Sequence, residues 1–282
     1  MKTILVTGST DGIGLETALQ LANRGHAVVL HGRNEKKVHH ASDLIQRATP
    51  DAVLQSAHAD LADLDAVALM AQDLAARLPK LDVLINNAGV YMTERRISKA
   101  GFEMTLAVNY IAHFLLTALL LPLLKKSSEP RVVTVSSIAH TRGRIDFDNL
   151  NGERHFDAYH AYANSKLADA LFANELARRE PWLASNSLHP GVIDTKLLHT
   201  GFDAEGDSVA AGARTSAYVA TSPDVKGISG KYFDDCAAVQ LAPLAKDSHL
   251  AQQLWEWSEN AVRPWLATEA STGKEVHSGA PG

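Results

Sequence analysis

With a single cysteine, Cys236, in 282 residues, the chain can form no intrachain disulfide and no metal site built from several thiolates. Cys236 follows an expected edge strand, which makes it a packing or surface residue. The 13 histidines are scattered, and neither His39-His40 nor His58 has the ligand spacing of a zinc helix, so no metal is expected. An excess of positive charge is also missing. The 27 lysines and arginines stand against 32 acidic residues without forming a basic block, and the net charge of −5 argues against a nucleic-acid partner. The longest apolar run, residues 114–124, is too short for a bilayer and contains Pro122, so no membrane span is expected. Lys2 leads at once into a short strand and a glycine loop, unlike a signal peptide, and a reducing cytoplasm is the expected location. What remains is a globular composition, 46% hydrophobic and 21% charged, long enough to bury a full core.

Short apolar runs alternate with helical periodicity. Residues 3–7 (TILVT) are stopped by Gly8, as a buried strand is, and residues 12–23 carry Ile13, Leu15, Ala18, Leu19 and Ala22 on one helical face. Further strands are expected at 26–31, 52–57, 81–86, 131–136, 183–188 and 231–233, and helices at 35–48, 63–78, 102–125 and 159–179. Helical crossovers of this length join parallel strands, so the predicted fold is one doubly wound α/β domain of Rossmann type. Its sheet has about seven strands, with helices on both faces. The domain is expected to cover 1–266, with a substrate loop at 196–214, and 267–282 to form a polar tail. In that loop Leu197, Leu198 and Phe202 suggest an apolar lid, or simply core. Asp203, Glu205 and Asp207 suggest a solvated rim. Ligands of such sheets bind beyond the carboxyl ends of the strands, where the distinctive residues of this chain fall.

The segment Thr7-Gly8-Ser9-Thr10-Asp11-Gly12-Ile13-Gly14 joins the first strand to the first helix. Glycines there let backbone approach a bulky anion, and the helix start offers free N–H groups and the positive dipole end to a pyrophosphate. Gly8, Thr10, Asp11, Gly12, Ile13 and Gly14 are therefore expected to hold a dinucleotide; a plain tight turn is the alternative. The second strand ends His31-Gly32-Arg33, with no carboxylate until Glu35. NAD binders commonly place an acid there for the ribose 2′-hydroxyl, whereas Arg33 suits a 2′-phosphate. NADP is the expected cofactor, with NAD the alternative if Arg33 is only a solvated turn residue.

These residues resemble the short-chain dehydrogenase/reductase superfamily over residues 2–264. The glycine loop is similar to its TGxxxGxG, Asp60-Leu61 to its adenine-contacting pair, and Asn86-Asn87-Ala88-Gly89 to its NNAG. Val108-Asn109 matches its catalytic asparagine, Ser136-Ser137 its serine, Tyr162-Ala-Asn-Ser-Lys166 its YxxxK, and His189-Pro190-Gly191-Val192 with Thr195 its PG loop. The resemblance implies cofactor contacts at Asp60, Leu61, Asn87, Gly89, Tyr162, Lys166, Pro190, Val192 and Thr195. It is strongest with the retinol-dehydrogenase-like branch, through Gly101-Phe102-Glu103-Met104, the run Ser136 to His140, Leu254-Trp255-Glu256 with Ser258, and the long insert between serine and tyrosine. Ala112 departs from a frequent glycine. The absence of an expected membrane anchor keeps the branch name from implying retinoid as substrate.

Tyr162 and Lys166 stand four apart, on one helix face; Tyr159 has only Ala163 at that spacing. A free tyrosine titrates near 10, and a lysine cation beside oxidised nicotinamide favours the phenolate. The implied chemistry is hydride transfer between nicotinamide and a carbonyl or alcohol carbon of a small apolar substrate, with Tyr162 exchanging the proton. Ser137 polarises the oxygen, with Ser136 the alternative, while Lys166 also holds the ribose and Asn109 places a water. Intact Ser137, Tyr162 and Lys166 favour an enzyme over a cofactor-sensing binding protein. The apolar helices 114–124 and 159–173, and the pairing habit of the family, give a homodimer as the expected assembly.

Overall fold

The computed structural model describes residues 1–202 and 204–266; the expected tail at 267–282 and the rim residue Asp203 lie outside them. Strands β1 (Thr3–Val6), β2 (Ala27–Gly32), β3 (Leu54–His58), β4 (Val83–Asn86), β5 (Arg131–Val135), β6 (Ala184–His189), β7 (Tyr232–Asp234) and β8 (Ala237–Val239) form one sheet. Their order is β3-β2-β1-β4-β5-β6-β7-β8, parallel throughout except for the β7–β8 pair. Alternation sends Ile4 and Val6 into one hydrophobic layer and Leu5 into the other, so both faces of β1 are buried. One face is covered by α1 (Gly12–Asn23), α2 (Glu35–Ala48) and α8 (Val209–Thr221). The other is covered by α3 (Leu64–Arg77), α5 (Ala112–Leu124) and α6 (Ala158–Arg179), with α9 (Ser248–Leu266) packed on the outside of these helices.

The single α/β domain and its parallel core are as the periodicity indicates. Strand β8 is the difference: its three residues, Ala-Ala-Val, are all exposed and carry no periodic signal. It forms because Asp235 and Cys236 take φ of 46° and 62°, the pair of positive values a two-residue hairpin turn requires. Cys236 thus lies half-buried within the hairpin, its N–H on Thr215 Oγ1 at 3.2 Å.

The expected helix 102–125 is three pieces: α4 (Met104–Leu106), a π-helical turn (Ala107–Ile111) and α5. Together they run Met104–Leu124, long and apolar enough to cross a membrane, which the run at 114–124 did not indicate. That surface is spent inside the domain, 83% of its most apolar stretch being buried. Helix α9 supplies the cover: Trp255 packs 4.9 Å from Phe114 and stacks on Phe172 at 5.8 Å. The surplus apolar face of α5 and α6, which suggested a homodimer, is thereby covered within the chain.

The order of strands reverses between β1 and β4. The crevice beyond their carboxyl ends is the place where a ligand of this sheet binds. In the expected substrate loop the chain forms α7 (Lys196–Gly201) and then enters α8, both leading out of that crevice.

Candidate active site

Gly8 takes φ +66°, and a Cβ on it would stand 2.9 Å from Ala88 Cβ; a Cβ on Gly14 would stand 2.3 Å from Gly8 O and 2.5 Å from Asn87 Nδ2. Loop, helix start and the end of β4 are thus in mutual contact, at distances only glycine permits. Asp11 caps α1, accepting from Gly12 N at 2.9 Å, and forms an ion pair with Lys196 across the crevice mouth.

Two buried histidines hold this framework. His31 Nδ1 accepts from Gly8 N at 3.0 Å, leaving Nε2 to donate to Ala59 O at 3.2 Å. His113 Nδ1 donates to Asn109 O at 2.9 Å, so its Nε2 accepts from Thr7 Oγ1, also at 2.9 Å. Thr7 Oγ1 in turn receives Asn87 N at 2.8 Å and Ala88 N at 3.0 Å. Both rings must be neutral for this, and burial depresses them, His31 to about 4 and His113 to about 3. Their folded values lie below the ordinary 6.5. The stability they contribute is therefore complete above that value and is lost as pH falls towards 4 and 3. Asp169, raised to about 6, works in the opposite sense and offsets part of the loss. Urea unfolding is expected to show roughly 2–3 kcal/mol less stability at pH 5 than at pH 7.5. A flat profile would refute the neutral-ring network.

A cavity of about 1480 Å³ opens beyond the strand ends. It is lined by Gly8, Thr10, Asp11, Gly12, Ile13 and Gly14 from the glycine loop, and by Arg33, Asp60 and Leu61 beyond β2 and β3. Asn87 and Gly89 follow β4, and Ser137 and Tyr162 with Lys166 form the far wall. Pro190, Val192 and Thr195 close it from the loop after β6. Asn109 is the one expected site residue that does not line it. The fully buried amide accepts from Val90 N at 2.7 Å and donates to Val90 O and to Ser165 Oγ, each at 3.0 Å. Ser165 Oγ donates to Tyr162 O at 2.7 Å. The Asn109 side chain therefore ties the segment after β4 to α6, every one of these bonds being made within the protein.

On α6, Lys166 Nζ lies 5.8 Å from the centroid of the Tyr162 ring, donating to Val135 O at 2.8 Å and to Asp169 Oδ2 at 2.9 Å. Burial opposes the Lys166 charge, but Asp169 and Tyr162 outweigh it and raise the lysine above its ordinary value. The two serines differ. Ser136 Oγ is buried and donates to Lys166 O at 2.7 Å. Ser137 is half-buried at the cavity and caps the 3₁₀ turn Ile138–Arg142, accepting from Ala139 N at 3.2 Å. His140 steadies it, Nδ1 donating to Ser137 O at 2.7 Å while its ring packs on Tyr232.

Aromatic rings surround Tyr162, with Tyr91 at 5.6 Å and Phe202 at 6.0 Å between centroids. Leu197 joins them and Leu198 is buried, so the apolar part of the loop packs against the site. Glu205 and Asp207 are exposed. Several lining residues had no signal in the sequence. His31, Lys37 on the first turn of α2, and Arg96 and Arg142 are ordinary surface or strand residues until the fold gathers them at the cavity.

Sheet, glycine loop and crevice define a dinucleotide-binding α/β protein. Residues 2–206 match the family model for short chain dehydrogenase, and the chain belongs to that family, as an oxidoreductase working with a nicotinamide cofactor. Within it the chain falls in the retinol-dehydrogenase-like branch. It is 40% identical to retinol dehydrogenase 14 of Mus musculus, covering 93% of this chain and 86% of the relative. It is 38% identical to the chloroplastic short-chain dehydrogenase TIC 32 B of Brassica napus, covering 92% and 88%. Among solved structures, an uncharacterised protein of Mycobacterium Paratuberculosis superposes with TM-score 0.77 at 32% identity, covering 93% and 94%. A short-chain dehydrogenase of Shigella flexneri, complexed with NADP, has TM-score 0.69 at 28% identity, covering 84% and 97%.

Proposed function

We propose that the protein is an NADP(H)-preferring carbonyl reductase or alcohol dehydrogenase for small apolar substrates, with Tyr162 as general acid and base. The observation that carries this is one cavity holding Tyr162, Lys166 and Ser137 at one end, and the glycine loop with Arg33 and Lys37 at the other. The residues fit a dinucleotide: Gly8 and Gly14, where a Cβ would strike Ala88, Gly8 O and Asn87, keep the loop folded tightly at the start of α1, and two exposed cations suit an adenosine phosphate at the other end.

Gly8, Thr10, Asp11, Gly12, Ile13 and Gly14 would hold the pyrophosphate, Asp60 and Leu61 the adenine, and Asn87, Gly89, Pro190, Val192 and Thr195 the nicotinamide side. When bound, the cofactor supplies or accepts the hydride. In reduction the Tyr162 hydroxyl gives its proton to the substrate oxygen, and in oxidation the phenolate takes it back. The Lys166 ammonium, held by Val135 O, favours that phenolate. Ser137 supplies a hydrogen bond where negative charge develops on the substrate oxygen. Asn109 acts through its clamp on α6. Phe202 and Leu197, with Tyr91 packed behind Phe202 and Tyr162, give the reacting end apolar walls that suit a ketone, an aldehyde or a retinol-like alcohol. A reducing cytoplasm suits the lone Cys236.

Consumption of NADPH and of NADH should be followed by nicotinamide absorbance over ketones, aldehydes including retinal, and quinones. Turnover preferring NADPH is the expected result. No turnover with either cofactor, although both bind, would leave a cofactor-sensing protein and sink the enzyme.

A further inference from the structure

Asp169 is buried beside Lys166, and none of the steps above uses it. Its side chain is 2% exposed; Oδ2 receives Lys166 Nζ at 2.9 Å, and Oδ1 has no partner among the described residues. Three positions along α6, the two residues share a face that is turned into the core. Tyr162 on the same helix, Tyr110 from the π-helical turn and His113 from α5 are the other titratable groups whose charge this pair feels; β5 presents the Val135 carbonyl.

A buried ion pair is a poor device for stability alone, because desolvation of two charges consumes most of the attraction. A carboxylate with one oxygen unpartnered is poorer still. The location supplies a reason: among the described residues, the only cation Asp169 touches is the one beside Tyr162.

We infer that Asp169 is a positioning residue, which anchors the Lys166 ammonium against β5 and offsets part of its charge. It thereby sets how strongly Lys166 favours the Tyr162 phenolate. The inference rests on Tyr162 being the proton carrier. A bare ammonium stabilises a neighbouring phenolate with its full charge, whereas an ammonium with a carboxylate at 2.9 Å acts as a nearly neutral pair. Burial raises Asp169 while Lys166 pulls it down, and the Nζ contact at 2.9 Å keeps the carboxylate ionised in the alkaline range in which a phenolate forms.

Asp169→Asn keeps the shape and an oxygen for Nζ while removing the charge. Asp169→Ser, which removes the charge and leaves room for a water, is run beside it. With NADP present, the phenolate absorbance of Tyr162 is read as the difference between each protein and its own Tyr162→Phe derivative. Its midpoint is expected about one pH unit lower in both variants than in the parent, a tenfold gain in phenolate at a given pH. Where alcohol oxidation is measurable, the acidic limb of kcat/KM moves by the same amount. A midpoint displaced by less than about 0.3 unit in either folded variant overturns the inference and leaves Asp169 a structural role only. The absorbance titration needs no substrate, so a lack of turnover would refute the oxidoreductase assignment without deciding this one.

Discussion

Tyr162→Phe is expected to lower kcat by about a thousandfold or more, with NADPH affinity and melting temperature close to those of the parent. The substitution removes one hydroxyl and leaves the ring. That ring is 7% exposed and packs against Tyr91 and Phe202, contacts that phenylalanine keeps. Positioned general acids contribute roughly 10²–10⁴ to a rate, and the upper part of that range applies where no second donor can replace the first. Ser137 is the nearest substitute, but it can polarise an oxygen without delivering a proton at neutral pH. Ser137→Ala should therefore cost less, about a hundredfold, and the two effects should not add, because both groups act on one oxygen. Steady-state rates with the best carbonyl of the panel, beside a fluorescence titration of NADPH, separate chemistry from binding. A phenylalanine variant within tenfold of the parent would remove Tyr162 from the reaction.

Which parts of this were legible beforehand follows from how local each signal is. The glycine loop is written in eight consecutive residues, and Tyr162 with Lys166 in one turn of α6, so both stand out along the chain. The core strands are equally plain, since β1, β2 and β4 are apolar runs bounded by turn residues. Strand β8 is not, because Ala-Ala-Val pairs only on account of a turn whose Asp235-Cys236 is an unusual choice for positive φ. The role of His31 depends on Gly8 and Ala59, 23 and 28 residues away. Asp169 is one more residue of an amphipathic helix until its neighbour across one turn is seen to be buried with it. Asn109 shows the limit from the other side. Its place in the chain matches the family pattern, yet its amide is consumed by Val90 and Ser165. The cover that α9 lays over α5 and α6 was hidden too, because Trp255 reaches Phe114 across half the sequence.

Arg33→Asp combined with Lys37→Ser is expected to reduce kcat/KM for NADPH by roughly a hundredfold while NADH changes little, turning the cofactor preference over. Both cations are exposed at the glycine-loop end of the cavity, and neither has an ion-pair partner among the described residues. Lys37 stands on the first turn of α2, where Asn34 Oδ1 accepts its N–H at 3.0 Å, so the positive end of a 14-residue helix adds to the attraction for a phosphate. Charge-assisted hydrogen bonds contribute about 1.5–3 kcal/mol each, and two at the lower value correspond to the expected hundredfold loss. An aspartate at position 33 goes further than neutralisation. It repels a 2′-phosphate and offers an acceptor to a 2′-hydroxyl, the device that NAD-binding sheets use at this strand end. Lys37→Ser alone should give a smaller loss with the same sign, and high salt should narrow the difference between parent and variant, since the contact is solvent-exposed. An unchanged NADPH to NADH ratio in the double variant would show that both side chains are merely solvated, and neither Arg33 nor Lys37 would then carry a preference for NADP.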